Sequence, residues 1–135
     1  MSGFDVPAAV AGALAQGRRT AQWLHRTPLA QLQRADGRLA DEARTMIAAT
    51  QDLTLMVCGA TPARLRECPP DDAEVPSLAA HALGDQLAVM VDQLELVALE
   101  WADVGAPGAA SVAAQADALA GDLLALRRSP GLAIG

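Results

Sequence analysis

The chain contains no lysine, asparagine or tyrosine, and its 135 residues include only one phenylalanine and two tryptophans. AT-rich codons encode the missing types, so this bias is typical of a high-GC bacterial genome. So few aromatic rings provide no stacking platform for nucleic-acid bases. The net charge of −6 also lacks the clustered positive charge that phosphate binding needs. These absences argue against nucleic acid as a partner.

Long apolar runs and cysteine frameworks are also missing. No uncharged apolar run approaches the roughly 20 residues that span a bilayer, and the N-terminus lacks the positive segment of a secretory signal. We therefore expect no membrane span. Cys58 and Cys68 form neither a disulfide framework nor a CxxC pair, which predicts two reduced thiols and a cytoplasmic location.

The residues that are abundant favour helices. The chain has 31 alanines and 19 leucines, against only eleven valines and isoleucines together. Alanine and leucine are among the strongest helix formers, and strands favour β-branched and aromatic residues. A chain of this length is also typical of one domain. We therefore predict an all-α protein with one domain over residues 1–135.

Apolar residues recur at steps of three and four in four segments, which predicts helices at about 6–26, 28–57, 77–104 and 108–128. The inward positions of the first helix are Val6, Val10, Ala13 or Leu14, Gly17, Ala21 and Leu24. The inward stripe of the second helix begins with Leu29 and Leu32, Ser77 is the expected N-cap of the third, and the stripe of the fourth is Ala109, Val112, Ala116, Leu119, Leu123 and Leu126. Four prolines interrupt the segment 58–76, which predicts a loop there, and residues 129–135 form a loose tail. The expected fold is a four-helix bundle, built from two antiparallel helical hairpins that are joined by a Pro-rich crossover loop.

The charges are divided unevenly along the chain. Residues 1–66 carry eight arginines and five acids, a net charge of +3, whereas residues 67–135 carry two arginines and eleven acids, a net charge of −9. Either the two halves complement each other within the fold, or the acidic half faces a basic partner. We favour a non-enzymatic adaptor, regulator or small subunit that binds a protein partner or a second copy of itself. The candidate partner-binding residues are Arg18, Arg19, Asp85, Asp92, Glu95, Leu96 and Leu99.

One histidine supports an alternative function. His81 is followed by Gly84 and Asp85, and this stretch resembles the phosphoacceptor segment of histidine phosphotransfer domains, which are four-helix bundles. The resemblance implies that His81 is the phosphoacceptor. That family has Lys and Gly at the third and fourth positions after the histidine, so the lysine is absent here and an acid replaces the glycine. His81 and Asp85 also have the i, i+4 spacing of metal ligands, but further ligands are missing, and we predict no metal, no cofactor and no catalytic residue.

Two more alternatives stay open. The opening MSGFDV, followed by an Ala-rich amphipathic helix, resembles helical-hairpin proteins of actinobacterial type VII secretion, although the Trp-x-Gly turn and the Tyr-based export signal of that family are absent. A core of alanine, leucine and methionine with few aromatics could also leave an apolar ligand pocket, which we would place near Trp23, Met46, Met90 and Trp101.

Overall fold

The computed structural model describes residues 6–59, 74–76, 78–100 and 108–128. Within these ranges the protein is all-helical and contains no strand, as the composition predicts. The helices are α1 (Val6–Arg26), α2 (Leu29–Leu32), α3 (Arg34–Gly59), α4 (Leu83–Glu100) and α5 (Ala109–Arg127), and a 3₁₀ turn, Ala80–Ala82, precedes α4. Trp101 and the predicted tail lie outside the described residues.

The first helix has the predicted boundaries. Pro7 lies in its first turn, where a missing N–H costs nothing, and Pro28 disfavours helical geometry at Thr27, so that α1 ends at Arg26. The inward stripe is confirmed, because its described members are buried: Val10, Ala13, Leu14, Gly17, Ala21 and Leu24. Most of these side chains are small, which allows neighbouring helices to approach α1 closely.

The predicted helix 28–57 is not continuous. A single turn, α2, ends at Leu32, and α3 begins at Arg34. Gly37 in the first turn of α3 has a φ of 79°, a left-handed conformation that glycine adopts without strain. The break changes the direction of the stripe, so that Leu29 is 46% exposed, contrary to its predicted core position, while Leu32 is buried. Helix α3 also extends two residues beyond the predicted end, to Gly59.

The third long helix begins later than predicted. Residues 74–76, 78 and 79 are not helical, and the helix α4 starts only at Leu83 after the 3₁₀ turn. Tertiary hydrogen bonds hold this extended segment: Gln86 Nε2 donates to the Pro76 carbonyl at 2.6 Å, and Arg44 donates to the Leu78 carbonyl at 3.0 Å and 3.3 Å. These side chains satisfy backbone carbonyls that a helix would otherwise pair. Ser77, the predicted cap, lies outside the described residues.

The last helix agrees with its predicted stripe. Gly108, with a φ of 88°, precedes α5, and the buried positions of α5 include all six that the sequence indicates: Ala109, Val112, Ala116, Leu119, Leu123 and Leu126. Helix α5 packs mainly on α1 and α3, and its buried residues join those of the other helices in one core.

Helix α1 packs between α4 and α5, while α3 closes the core from the side of α4 and α5. Two glycines set the distance between α1 and α4. A Cβ at Gly17 would lie 2.5 Å from Val91 Cγ2, and a Cβ at Gly84 would lie 3.0 Å from the Ala21 carbonyl oxygen and 3.2 Å from the His25 nitrogen. Because Gly17 is level with Val91 while the later turn Ala21–His25 is level with Gly84, the two helices run antiparallel.

Three buried threonines form hydrogen bonds within their own helices. Thr20, Thr50 and Thr54 are almost fully buried, and each donates its Oγ1 hydrogen to the carbonyl four residues earlier, at 2.7–3.0 Å. This local bond satisfies the hydroxyl within its own helix. A threonine can therefore occupy an inward position of the helical stripe.

The close contact at Gly84 is testable with a matched pair of glycines. Gly84→Ala should lower the free energy of unfolding by about 1–3 kcal/mol, because the new methyl group meets backbone atoms of α1 that cannot move alone. Gly121 in α5 is exposed, and a methyl group there would have no atom within 4 Å, so Gly121→Ala should raise the free energy of unfolding by about 0.5–1 kcal/mol. Chemical denaturation measures both values. Stabilisation by both changes would contradict the tight α1–α4 approach.

Candidate docking surface

The solvent side of α4 carries three of the five large apolar side chains that are exposed among the described residues. Val89 is 60% exposed, Leu96 is 44% exposed and Leu99 is 75% exposed, whereas the inner residues of the same helix are buried. Asp85 and Asp92 are exposed between and beside them. We call these five residues, Asp85, Val89, Asp92, Leu96 and Leu99, the α4 outer face.

The spacing of the α4 outer face is that of a helix-packing seam. Its members follow one another at steps of four, three, four and three residues, so they form one stripe along the helix. The opposite side of α4 carries the buried seam: Leu83, Leu87, Val91, Leu94 and Val97. Helix α4 is therefore apolar on two sides, and only one of them is covered by the described part of this chain. An uncovered apolar stripe rimmed by polar groups is typical of an interaction surface.

Two of the predicted partner-binding residues pair with each other. Arg18 Nη2 lies 2.8 Å from Glu95 Oε2, and both side chains are partly exposed. This ion pair crosses the boundary between α1 and α4. An exposed pair of this kind contributes at most about 1 kcal/mol, so it serves mainly to fix the relative position of the two helices.

Asp85 also has a partner on α1. Its Oδ1 lies 2.9 Å from His25 Nε2, close to the contact of Gly84 with the α1 backbone. Asp92 is different: it is exposed and forms no ion pair with any described residue. The structure thus brings Asp85, Glu95 and Arg18 together along one helix boundary and leaves Asp92 uncompensated.

Arg19 lies on the solvent side of α1, near two arginines of the α5 terminus. Arg127 donates from Nη1 to the Gln16 carbonyl at 3.1 Å and to Thr20 Oγ1 at 2.6 Å, and from Nη2 to Gln16 Oε1 at 2.5 Å. Burial, and then the positive charges of Arg19 and Arg128, lower the pKa of Arg127. Within the described ranges, none of these three arginines forms an ion pair with a carboxylate.

The predicted phosphoacceptor lies in the 3₁₀ turn before α4, not within a helix. His81 is exposed, as a phosphoacceptor must be, but the Asp85 carboxylate contacts Nε2 of His25 instead. The structure therefore does not pair His81 with Asp85. Among the described residues, no group of three or more His, Cys, Asp or Glu side chains could hold a metal ion.

A small cavity lies away from the positions where the sequence suggests an apolar ligand. Its volume is about 110 Å³, and it is bounded by the extended segment, α3 and α4, with the lining residues Arg44, Ile47, Ala48, Val75, Pro76 and Gln86. Trp23, Met46 and Met90 do not line it. Typical small-molecule sites enclose about 300–1,000 Å³, so this cavity is too small for a ligand of that size.

Helix α5 is the one described helix that could cross a membrane by length and composition. It has 19 residues and a mean hydropathy of 1.2. Its inward residues belong to the shared core, and buried core helices of soluble proteins have similar hydropathy. The expected absence of a membrane span stays a prediction.

Val89 and Arg127 are the site residues that the sequence did not single out. Val89 extends the spacing of Leu96 and Leu99 towards the start of α4, and the steps 85, 89, 92, 96 and 99 could have identified it. Arg127 gave a weaker signal, because cations in the last turn of a helix ordinarily complement its dipole. Its bonds to α1 depend on tertiary packing that no local pattern reveals.

Comparison with known protein families, with curated proteins and with solved structures finds no match to this chain in any of the three.

The expectation of reduced thiols is wrong for Cys58. This residue lies in the last turn of α3 and is disulfide-bonded. The sequence contains one other cysteine, Cys68. Sequence spacing could not reveal the bond, because a disulfide depends on how closely the two Cα atoms approach in space. Disulfides are rare in the cytoplasm, so the bond weighs against the cytoplasmic location, which stays a prediction.

The bond can be tested on the purified, unreduced protein. Proteolysis without reductant should yield one fragment that links Cys58 to Cys68, and a thiol reagent should titrate no free cysteine. A bond from Cys58 to Cys68 would close a short loop, so reduction should lower the free energy of unfolding by about 3 kcal/mol or less. A Cys58→Ser/Cys68→Ser variant, which should be insensitive to reductant, is the control. Two titratable thiols in the native protein would refute the bond.

Proposed function

We propose that this protein is a non-enzymatic interaction protein, an adaptor, regulator or small subunit, which binds a protein partner through the α4 outer face. The observation that carries the proposal is the exposure of Val89, Leu96 and Leu99 in one stripe. Burying an exposed leucine or valine side chain completely contributes about 1.5–3 kcal/mol of favourable free energy. Covering this stripe with apolar side chains therefore supplies a driving force for association.

The arrangement of the remaining helices supports a preformed surface. We infer that α1, α3, α4 and α5 form a four-helix bundle of two antiparallel hairpins, with α2 as an additional turn. The inner residues of α4 belong to the core, and the pairs Arg18–Glu95 and His25–Asp85 link its outer boundary to α1. A helix that is held in this way loses little conformational freedom on binding.

The acids in the stripe restrict the chemistry of the partner. Asp92 occupies a seam position and forms no ion pair with any described residue, so an entirely apolar partner would leave its carboxylate without water or countercharge, which is costly. Asp85, whose carboxylate contacts His25, would also lose its water. A partner that fits presents a helix with small or apolar residues opposite Val89, Leu96 and Leu99, and with cations opposite the two acids. This mode of recognition is a helix laid along a helix face.

The other functions receive less support from the described residues. Phosphotransfer through His81 needs cations that stabilise a phosphoryl group, yet the nearest charged residue along α4 is Asp85. The cavity beside the extended segment, at about 110 Å³, is too small to bind a typical small apolar ligand there. A link to type VII secretion is not favoured by any specific contact.

Site-specific photo-crosslinking in the native host tests the proposed function. A photoreactive amino acid at Leu96 or Leu99 should give an adduct with one defined protein, because these side chains lie in the proposed contact. The same group at Ala118, an exposed position of α5, is the control and should give no such adduct. Mass spectrometry then identifies the partner. Equal labelling at the three positions, or no adduct at Leu96 and Leu99, would overturn the proposal.

A further inference from the structure

Helix α1 carries a second exposed stripe beside the α4 outer face. Its exposed residues recur at steps of three and four, and they are Ala8, Ala11, Ala15, Arg19, Gln22 and Arg26. We call these six residues the α1 outer face. Its first half presents only methyl groups, and its second half presents two cations. Arg19 and Arg26 form no ion pair with any residue that the structure describes.

The antiparallel contact of α1 and α4 fixes which residues of the two outer faces lie at the same position along the helix axes. We call this position the height of a residue. Val91 is level with Gly17, and eight residues further along α4 lies Leu99, level with Ala8 and Ala9 of α1. Leu96 is correspondingly level with Ala11 and Gly12, and Asp92 with Ala15 and Gln16. At the other end Asp85 is level with Gln22 and its neighbours, because Gly84 meets the turn Ala21–His25.

We propose that the partner of the α4 outer face is a second copy of this chain, with α4 of each copy packed antiparallel along α1 of the other. This proposal rests on the proposed docking function of α4. A two-fold axis parallel to the helices, at the Arg18–Glu95 boundary, produces the arrangement and uses both outer faces of both copies. Because such an axis involves no shift along the helices, the heights within one copy also apply between copies.

Size and shape are complementary in this register. Leu99 and Leu96 of one copy face Ala8, Ala11 and Ala15 of the other, so that the large side chains of α4 meet the smallest ones of α1. Packing of large against small residues lets two helices interdigitate at a close axial distance. Both leucines, now strongly exposed, become covered.

Charge is complementary in the same register. Helical side chains lean towards the N-terminus of their own helix. Because α1 and α4 are antiparallel, Arg19 and Asp92 lean towards each other's level, and so do Arg26 and Asp85. The uncompensated carboxylate of Asp92 therefore meets a guanidinium group that lacks a carboxylate partner among the described residues and lies near Arg127. An acid at this point relieves the mutual repulsion of the clustered cations.

Packing of α4 against α4 of a second copy fits less well. In a parallel pair Asp92 would face Asp92, and in an antiparallel pair the acids would face the apolar residues of the other helix. Like charges at a seam are unfavourable. The α1 outer face avoids both problems, which is why the observations favour it as the occupant.

The area of the two outer faces indicates a weak, reversible dimer. Helix α4 has 18 residues and is about 27 Å long, so that two adjacent helices offer roughly 500 Å² on each copy. The total of roughly 1,000 Å² lies at the low end for specific interfaces. We therefore expect a dissociation constant of micromolar order that increases with salt.

Charge reversal on the two faces provides the test, with sedimentation equilibrium at low salt as the measurement. Asp92→Arg places like charges against Arg19 of the other copy, and Arg19→Glu places them against Asp92. Each variant alone should dimerise at least about tenfold more weakly than the native chain. An equimolar mixture of the two should restore native affinity within about threefold, because both cross-pairs are then opposite in sign. Native mass spectrometry should find the mixed dimer.

Asp117→Arg provides the control, because Asp117 is an exposed acid on α5; this reversal should leave the affinity unchanged. Circular dichroism melting verifies that each variant is folded. A native chain that stays monomeric up to hundreds of micromolar, or a mixture no tighter than the single variants, would overturn the dimer. The proposed docking function fails separately: an adduct of Leu96 with a different protein would refute self-association while keeping α4 as a docking surface.

Discussion

The close approach of α1 and α4 is the constraint on which the rest of this structure depends. At Gly84 the backbone of one helix leaves room for little more than a hydrogen atom in front of the other, and at Gly17 the side chain of Val91 fills the space that a methyl group would take. Because these contacts fix height as well as distance, they determine which charges meet at the boundary. The pairs Arg18–Glu95 and His25–Asp85 are consequences of that register.

The same constraint explains the small residues Ala13, Gly17 and Ala21 on the inward side of α1. A helix with small inward side chains, such as α1, can contact both α4 and α5, but each contact then buries little apolar area. Hydrogen bonds therefore contribute to the stability of the α1–α5 contact. Arg127 of α5 donates three of them, to Gln16 and Thr20 of α1. Each such bond contributes on the order of 1 kcal/mol, somewhat more for a charged donor. The α1–α5 contact is thus fixed by a partly buried arginine as well as by apolar packing.

The three-four spacing of apolar residues predicted the buried side of a helix correctly where packing depends on that spacing alone. The inward stripes of α1 and α5 were correct at every described position, because three-four spacing leaves one face for the core. The break before α3 and the late start of α4 were missed. The break lies at Gln33, four residues before the left-handed Gly37, and the three-four spacing of Leu29, Leu32, Asp36 and Leu39 continues across it. The late start of α4 depends on long-range contacts, in which the side chains of Arg44 and Gln86 hold an extended segment. The disulfide of Cys58 was missed for the same reason.

The uneven division of charge along the sequence has two interpretations: charges that pair within the fold, and charges that face a partner. The structure assigns individual residues to one or the other. Part of it is internal complementarity, since Arg18 and His25 from the basic half pair with Glu95 and Asp85 from the acidic half. Asp92 and Arg19 stand apart, because each is exposed and has no ion-pair partner among the described residues. Two unpaired opposite charges on neighbouring faces, beside exposed leucines on one face and alanines on the other, are what a self-complementary surface requires. An adventitious surplus of surface charge would not need to coincide in height with leucines on one helix and alanines on the next.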